Sequence, residues 1–274
     1  MGLTAAQVQQ YDDEGWIAPI DLLSPTETAA IRAALEAAER EHPHHLHAEH
    51  RNNAHLILPF LADLGLHETI IECVRPLVGD DIALAASVLF IKEPASGSFV
   101  SWHQDAKYMA LPPANFVTAW VALTPSTPDN GCVAVIPGTH HGGARHHDDT
   151  FGEDNILTRG QNVPDIDPDD AVDLVLQPGQ MSLHHPWLVH GSRPNRSDER
   201  RIGVAFQSYL GADVRPEHGE YHVMHVAGGP VRPEFVLCER PTETFTPDGI
   251  AARQAANDAY AAVLYEGAEQ RRSL

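Results

Sequence analysis

The segment Val100 to Leu111, VSWHQDAKYMAL, carries a histidine and a carboxylate two residues apart, His103 and Asp105. On an extended strand alternate side chains share a face. This spacing therefore sets an imidazole nitrogen beside a carboxylate oxygen and turns Gln104 the other way. Such a pair is half of a metal site. One more histidine would complete the two-histidine, one-carboxylate arrangement that leaves positions open on non-haem Fe(II). The His-x-Asp spacing is common, so its weight depends on whether the chain also supplies a third ligand and an anchor for a co-substrate.

Both are offered by the stretch 183–207, LHHPWLVHGSRPNRSDERRIGVAFQ. Three histidines compete for the third position. His190 closes the apolar run Trp187-Leu188-Val189 just before Gly191, as a ligand at a strand end would. His184 and His185 precede a proline and read as structural or supporting residues. Beyond His190 the chain turns and returns as a strand from Arg201, which would bring that arginine back toward the pocket. A guanidinium there matches a carboxylate bidentately, so an anionic small molecule is the expected guest. By spacing alone, Arg200 and Arg201 fit a surface ion pair equally well.

The elements that must position these groups follow a helix-then-strand order. Residues 4–14 read as a helix with Thr4 as N-cap and Gly15 beyond its end. Trp16 to Ile20 form a brief extended segment. Ser24-Pro25-Thr26-Glu27 is a capping box opening a helix that runs to Glu41. The histidine-rich stretch 42–50 follows a helix end and reads as a solvated loop. Residues 60–78 have the periodicity of one helix, ended by Gly79-Asp80-Asp81. Residues 82–92 are β-like in their second half. Strands are expected at about 98–105, 116–123, 132–136, 172–176, 180–184 and 201–209, and a helix at 247–265. The acidic connection 138–173 is long for a compact domain and reads as a lid over a site, with a solvated insertion as the alternative. The pattern is mainly β with flanking helices, an antiparallel sandwich or jelly roll. It is taken as a single domain over 1–274: a helical flank (1–80), a jelly-roll core (81–210) and C-terminal strands with a helix (211–274).

Composition narrows the partners. A formal net charge of −20 opposes binding to nucleic acid or to an anionic membrane surface. The longest apolar run, Ile82 to Ile91, is too short to span a bilayer. Cys73, Cys132 and Cys238 match neither a zinc spacing nor a disulfide framework. They fit inert thiols in a reducing cytoplasm. The expected protein is cytoplasmic, a monomer or homodimer, acting on a small molecule.

Longer motifs carry a specific resemblance. QYDDEGW, LLSPTE, FIKEP, WHQDAKY, TAWVALTPSTPDNGCVAVIPGTHHGG and HPWLVHGSRPNRSDERR occur in one order over about residues 5–210. In this the chain resembles the phytanoyl-CoA dioxygenase family of Fe(II)/2-oxoglutarate oxygenases. The resemblance implies a double-stranded β-helix, a cupin-like jelly roll, with His103, Asp105 and His190 on Fe(II). It implies that Arg201 and Ser192 hold the distal carboxylate of 2-oxoglutarate, with Lys92 and Trp120 lining that side. O2 is the further co-substrate, and succinate and CO2 are the by-products. Related halogenases lack the carboxylate. Asp105 therefore implies hydroxylation, or desaturation, demethylation or epoxidation by the same oxidant. A zinc hydrolase or a non-catalytic cupin-like binder are the alternatives from other classes, and neither accounts for Arg201 and Ser192.

For the substrate, Trp102, Lys107, Tyr108 and Met109 border the metal pair in sequence, and Asn52, Asn53 and His55 could reach it from the helical flank. The acids of the stretch 146–173 would favour a cationic or amine-bearing molecule. Natural-product intermediates, amino acids and amine- or phosphonate-type compounds are the candidate classes.

Overall fold

The computed structural model describes residues 2–46 and 51–271. Two facing sheets form the body. The larger has strands β1 (Trp16–Asp21), β2 (Ile82–Lys92), β4 (Phe116–Ala122), β9 (Gln180–His184), β11 (Arg201–Leu210), β12 (His222–Ala227) and β13 (Val236–Cys238), ordered β1-β9-β4-β11-β2-β12-β13. The smaller has β3 (Val100–His103), β5 (Val133–Ile136), β8 (Val172–Asp173) and β10 (Val189–Ser192), ordered β3-β10-β5-β8. Pairing is antiparallel except between β12 and β13. This is the expected jelly roll.

Helices cover the outer face of the larger sheet, except that the last packs its C-terminal half, through Val263, against Ala85 and Met109. They are α1 (Ala5–Glu14), α2 (Pro25–Glu41), the short α3 (Pro43–Leu46), α4 (Pro59–Gly65), α5 (Glu68–Val78) and α6 (Pro247–Leu264). Ser24 forms the capping box read from sequence, and Thr4, read as an N-cap, forms one too with Gln7. The single helix expected at 60–78 is two, because His67 accepts from the Thr69 amide and starts a new N-terminus. Of the histidine-rich stretch, 43–46 is the helical turn α3 rather than loop, and 47–50 lies outside the described residues.

Period-two alternation explains why the central strands read as nearly continuous apolar runs. Val117, Ala119 and Val121 of β4, with Ile202, Val204 and Phe206 of β11, pack outward against Leu35, Leu61 and Val74 of the helices. Each such side chain contributes roughly 1.5–3 kcal/mol by burial. The alternate residues, Trp120, Ala122 and Ala205, face Val133, Val135 and Leu188 across the sandwich. Strands buried on both faces lose the polar half of the usual pattern. The extended segment at Trp16 is an integral strand, pairing with β9 at the sheet edge, so part of the expected helical flank belongs to the core.

The connection 138–173 is partly folded. Within it β6 (Asp148–Asp149) and β7 (Gln161–Asn162) form a small ladder, and Val163 donates to the Trp102 carbonyl at 2.6 Å. No helix among the described residues is long and apolar enough to cross a membrane.

Candidate metal centre and co-substrate cavity

Strand register creates the metal cluster. β10 lies against β3 with His190 directly opposite His103, and the two rings stack tilted at 4.1 Å. β3 ends at His103, and Asp105 opens a one-turn helix over Asp105–Tyr108. The turn, rather than the pleat of a strand continuing to 105, brings the carboxylate to the histidines. Asp105 Oδ1 lies 3.4 Å from His103 Nε2 and 3.8 Å from His190 Nε2. One ligand atom from each of His103, Asp105 and His190 falls within 4.8 Å of the others, and all three residues are buried.

The tautomers are set by backbone carbonyls, which can only accept. His103 Nδ1 donates to Ser101 O at 2.9 Å and His190 Nδ1 to Leu188 O at 3.0 Å. Each ring thereby presents the lone pair of Nε2 to the cluster, as a metal ligand must. Burial, aided by the neighbouring charges of His103 and His184, holds His190 far below its usual range and so neutral. Burial alone would raise the Asp105 carboxyl. The imidazoles of His190, His103 and His184 around it outweigh this and hold it well below the usual range. Thr118 Oγ1 donates to Asp105 Oδ2 at 2.9 Å, fixing the oxygen turned from the two ligand histidines. The donor set, two neutral imidazoles and a carboxylate, fits Fe(II).

Gln104 is wholly buried and knits this turn to its surroundings. Its Nε2 donates to Gly143 O at 2.9 Å and Trp187 O at 2.6 Å, and its Oε1 accepts from the Arg145 amide at 2.8 Å. The turn that carries Asp105 is thus tied to the start of the lid.

A second register match builds an anion cavity beside the cluster. β11 pairs with β2 so that Arg201 is directly opposite Lys92, both fully buried and on one face. Like charges placed so are destabilising, and among the described residues neither forms an ion pair with a carboxylate. Lys92 Nζ donates to Ser192 Oγ at 2.7 Å, to Gly131 O at 3.3 Å and to Arg193 O. Arg201 donates to Gly131 O and, at 3.4 Å, to Phe90 O, while its Nε is buried without a partner. Its guanidinium carbon sits 5.3 Å from the Trp120 ring centroid. Burial, with Arg201 adding to it, pushes the Lys92 ammonium down to about 6, and burial pushes Arg201 down to about 10.

Two glycines make this crowding possible. Gly131 has φ +74°, and a Cβ there would strike the Arg193 carbonyl oxygen. A Cβ at Gly203 would strike the Trp120 ring. The resulting cavity of about 380 Å³ is lined by His103, Trp120, His190, Ser192 and Arg201 among others. An orphaned guanidinium nitrogen, with Lys92 opposite it able to take up a proton as an anion enters, suits an anion such as the distal carboxylate of 2-oxoglutarate. Arg200 faces away, held by Glu39 at 2.8 and 2.9 Å and by Glu93 at 3.0 Å.

His184, read from sequence as a structural or supporting residue, also lines this cavity. Its Nε2 is 3.6 Å from Asp105 Oδ2, and neither ring nitrogen has a hydrogen-bond partner among the described residues. The signal was the i, i+2 phase of Ser182 and His184 on β9, which places both on the inward face. His185 turns instead toward His140 and Tyr11.

A cleft of about 800 Å³ opens on the other side of His103 and Asp105. Of the residues read as substrate contacts, Tyr108 lines it. Trp102, Lys107, Met109 and Asn53 do not. Met109 packs with Leu111 and Phe116, and its carbonyl accepts from Tyr221. Lys107 lines an adjoining hollow beyond Tyr108. Trp102 follows strand alternation to the opposite face from His103. Asn53 donates to Asn257 Oδ1 at 2.9 Å and accepts from the Ser87 amide, joining α6 to β2. His55 bonds Ser87 Oγ at 2.8 Å. Asn52, read as within reach from the helical flank, does line the cleft, and Arg51, Gln207 and, from α6, Tyr260 and Leu264 join it. The lid contributes Ile156, Leu157, Thr158 and Gln161, none of them acidic. Its Asp149 is held by Arg159 at 2.7 Å, and Asp148 lies 2.9 Å from His146.

Comparison with known proteins agrees with this geometry. Residues 11–203 match the family model described as phytanoyl-CoA dioxygenase. A probable alpha-ketoglutarate-dependent hypophosphite dioxygenase of Stutzerimonas stutzeri is 31% identical over 64% of this chain and 63% of its own length. The peroxisomal phytanoyl-CoA dioxygenase of Rattus norvegicus is 33% identical over 50% of this chain and 42% of that protein. The chain thus spans less than two thirds of these relatives. The solved structure of ThoJ, a non-heme monooxygenase, superimposes with a TM-score of 0.84 at 28% identity, covering 96% of this chain and 99% of that one.

Proposed function

Because the chain belongs to the phytanoyl-CoA dioxygenase family, we propose that it is an Fe(II)- and 2-oxoglutarate-dependent oxygenase that hydroxylates a small molecule. One observation carries this reading. Arg201, buried with no acidic partner among the described residues, lines a cavity shared with His103 and His190 of the metal cluster, and Lys92 lies directly opposite it on β2 and bonds Ser192, which lines the same cavity. A zinc hydrolase or a cupin-like binder would have no use for that pair.

Fe(II) held by His103, Asp105 and His190, with 2-oxoglutarate and O2, supplies an oxidant able to functionalise an unactivated C–H bond and leaves succinate and CO2. The protein's own groups do the rest. The carbonyls of Ser101 and Leu188 hold the imidazole tautomers. Thr118 fixes Asp105 so that one oxygen remains for the metal. Arg201, Lys92 and Ser192 take the distal carboxylate, with the guanidinium stacked on Trp120. The sandwich interior keeps water from the anion and strengthens these contacts. Desaturation, demethylation or epoxidation would use the same residues and differ only in the substrate presented.

The chain reads as one domain, since β1 from the N-terminal region and β12 from the C-terminal region both complete the larger sheet. Three buried free thiols support a reducing cytoplasmic setting, and a monomer or homodimer is proposed.

Succinate and CO2 formation with added Fe(II), and calorimetric binding of 2-oxoglutarate to Mn(II)-loaded protein without O2, test the proposal. Failure of the metal-loaded protein to bind 2-oxoglutarate would refute it.

A further inference from the structure

The cleft beside the metal cluster has walls that bear on its guest. Phe90, Ile156, Leu157 and Leu264 make it apolar, and its one carboxylate, Asp105, is turned to the histidines. Arg51 lines the same cleft with its side chain 17% exposed. Its Nη1 donates to Ile91 O at 3.0 Å, and its Nε is buried without a hydrogen-bond partner among the described residues. The carboxylate of Glu93 comes only to 3.9 Å. Both Glu93 and Glu39 are engaged instead by the guanidinium of Arg200. Among the described residues, Arg51 is therefore a largely buried cation whose nearby acids, Glu39 and Glu93, are committed elsewhere, a costly arrangement unless an anion completes it. The side-chain amides of Asn52 and Gln207, also in the cleft, make no hydrogen bond among the described residues.

We propose that this cleft selects an organic anion. Its oxyanion head meets Arg51 and Asn52, and its hydrocarbon lies along Phe90, Ile156, Leu157 and Leu264 within reach of the metal cluster. The assignment rests on reading the cleft as the substrate site of the oxygenase. It replaces the cationic substrate expected from the lid's acids, since none of those acids lines the cleft.

The test uses three probes with one hydrocarbon and different heads: hexanoate, hexan-1-ol and hexylamine. Each is titrated calorimetrically into protein loaded with Mn(II) and saturated with 2-oxoglutarate, without O2. Saturation keeps Lys92 and Arg201 occupied, so hexanoate cannot register there. Hexanoate should bind saturably at millimolar concentration, about tenfold or more tightly than the alcohol or the amine. Arg51→Gln should weaken it by about tenfold or more, the scale of one charge-assisted hydrogen bond. Arg51→Lys, which keeps the charge, should retain binding to within about fivefold.

The proposal is overturned by hexylamine binding as tightly as hexanoate, or by unchanged hexanoate binding in Arg51→Gln. Absence of saturable hexanoate binding to the wild type overturns it too. Should Arg51→Gln not fold, the head-group comparison and Arg51→Lys decide. Titration of 2-oxoglutarate into the Mn(II)-loaded protein comes first. Its failure would remove the oxygenase reading itself, whereas normal 2-oxoglutarate binding with no head-group preference removes only the anion-selective cleft.

Discussion

Replacing Lys92 by methionine should make the ligand-free protein more stable at neutral pH while abolishing its affinity for 2-oxoglutarate. Lys92 is fully buried, and its ammonium is pushed down to about 6 from 10.5, chiefly by burial and then by Arg201. At pH 7 a group with that pair of values opposes folding by about 5 kcal/mol. Methionine fills a similar volume without charge. Against this gain stands the loss of three hydrogen bonds, to Ser192 Oγ, Gly131 O and Arg193 O, at about 1 kcal/mol each. The expected net effect is a stabilisation of about 2 kcal/mol, read by urea unfolding of metal-free protein. Since the folded-state value is the lower one, the unfolded chain binds the extra proton between about pH 6 and 10.5. Wild-type stability therefore gains a rising contribution with pH across that window, and the variant lacks it. At pH 9 the opposing term shrinks to about 2 kcal/mol, so the two proteins should exchange order between about pH 7 and 9. Saturating 2-oxoglutarate, at about 100 times Kd, should add about 2.7 kcal/mol to the Mn(II)-loaded wild type and nothing to the variant. A variant less stable than wild type at pH 7, or one that still binds 2-oxoglutarate, would refute the idea that this lysine is held for an anion.

Asp105→Ala should lose metal retention, measured by dialysis against Mn(II), and with it all 2-oxoglutarate turnover. Arg201→Ala should weaken 2-oxoglutarate binding by about 1.5–3 kcal/mol. Arg200→Ala should leave it within about twofold, since Arg200 serves only Glu39 and Glu93; the reverse result would exchange the two roles. Gly131→Ala should cost about 2 kcal/mol or more in urea unfolding, because its positive φ and the Arg193 carbonyl leave no place for a methyl group. His44→Ala should leave 2-oxoglutarate turnover unchanged, the side chain being exposed on α3.

The ligand set was legible because its residue types are chemically rare in combination and its motifs are long. How the cluster is assembled was less so. The i, i+2 argument placed His103 and Asp105 on one continuous strand, yet β3 ends at His103. A strand end and a one-turn helix can present the same pair, and local spacing does not separate them. The N-cap at Thr4 and the capping box at Ser24 were read correctly because they are closed by contacts three residues apart. The substrate wall was the least legible. Arg51, Gln207, Tyr260 and Leu264 come together only through β11 and α6, from distant parts of the chain. Nearness in sequence to the metal pair misled for Met109 and Lys107, because the turn Asp105–Tyr108 carries them out of the cleft. Arg200 and Arg201 could be told apart only from the phase of β11, which turns one inward and its neighbour outward.

The position of β1 bears on how the chain reaches this state. Its partner in the larger sheet is β9, with Ile17 opposite Leu183, and β2 likewise waits for β11. Nearly every ladder that builds the metal cluster and the anion cavity closes a long loop of chain. Such nonlocal pairing slows folding, because loop-closure entropy is lost before the contacts compensate it. During synthesis Trp16–Asp21 leaves the ribosome long before Gln180–His184 exists. The early apolar segments must then remain uncommitted, and vulnerable to association with other chains, until the last third arrives. Refolding yield should accordingly fall as protein concentration rises.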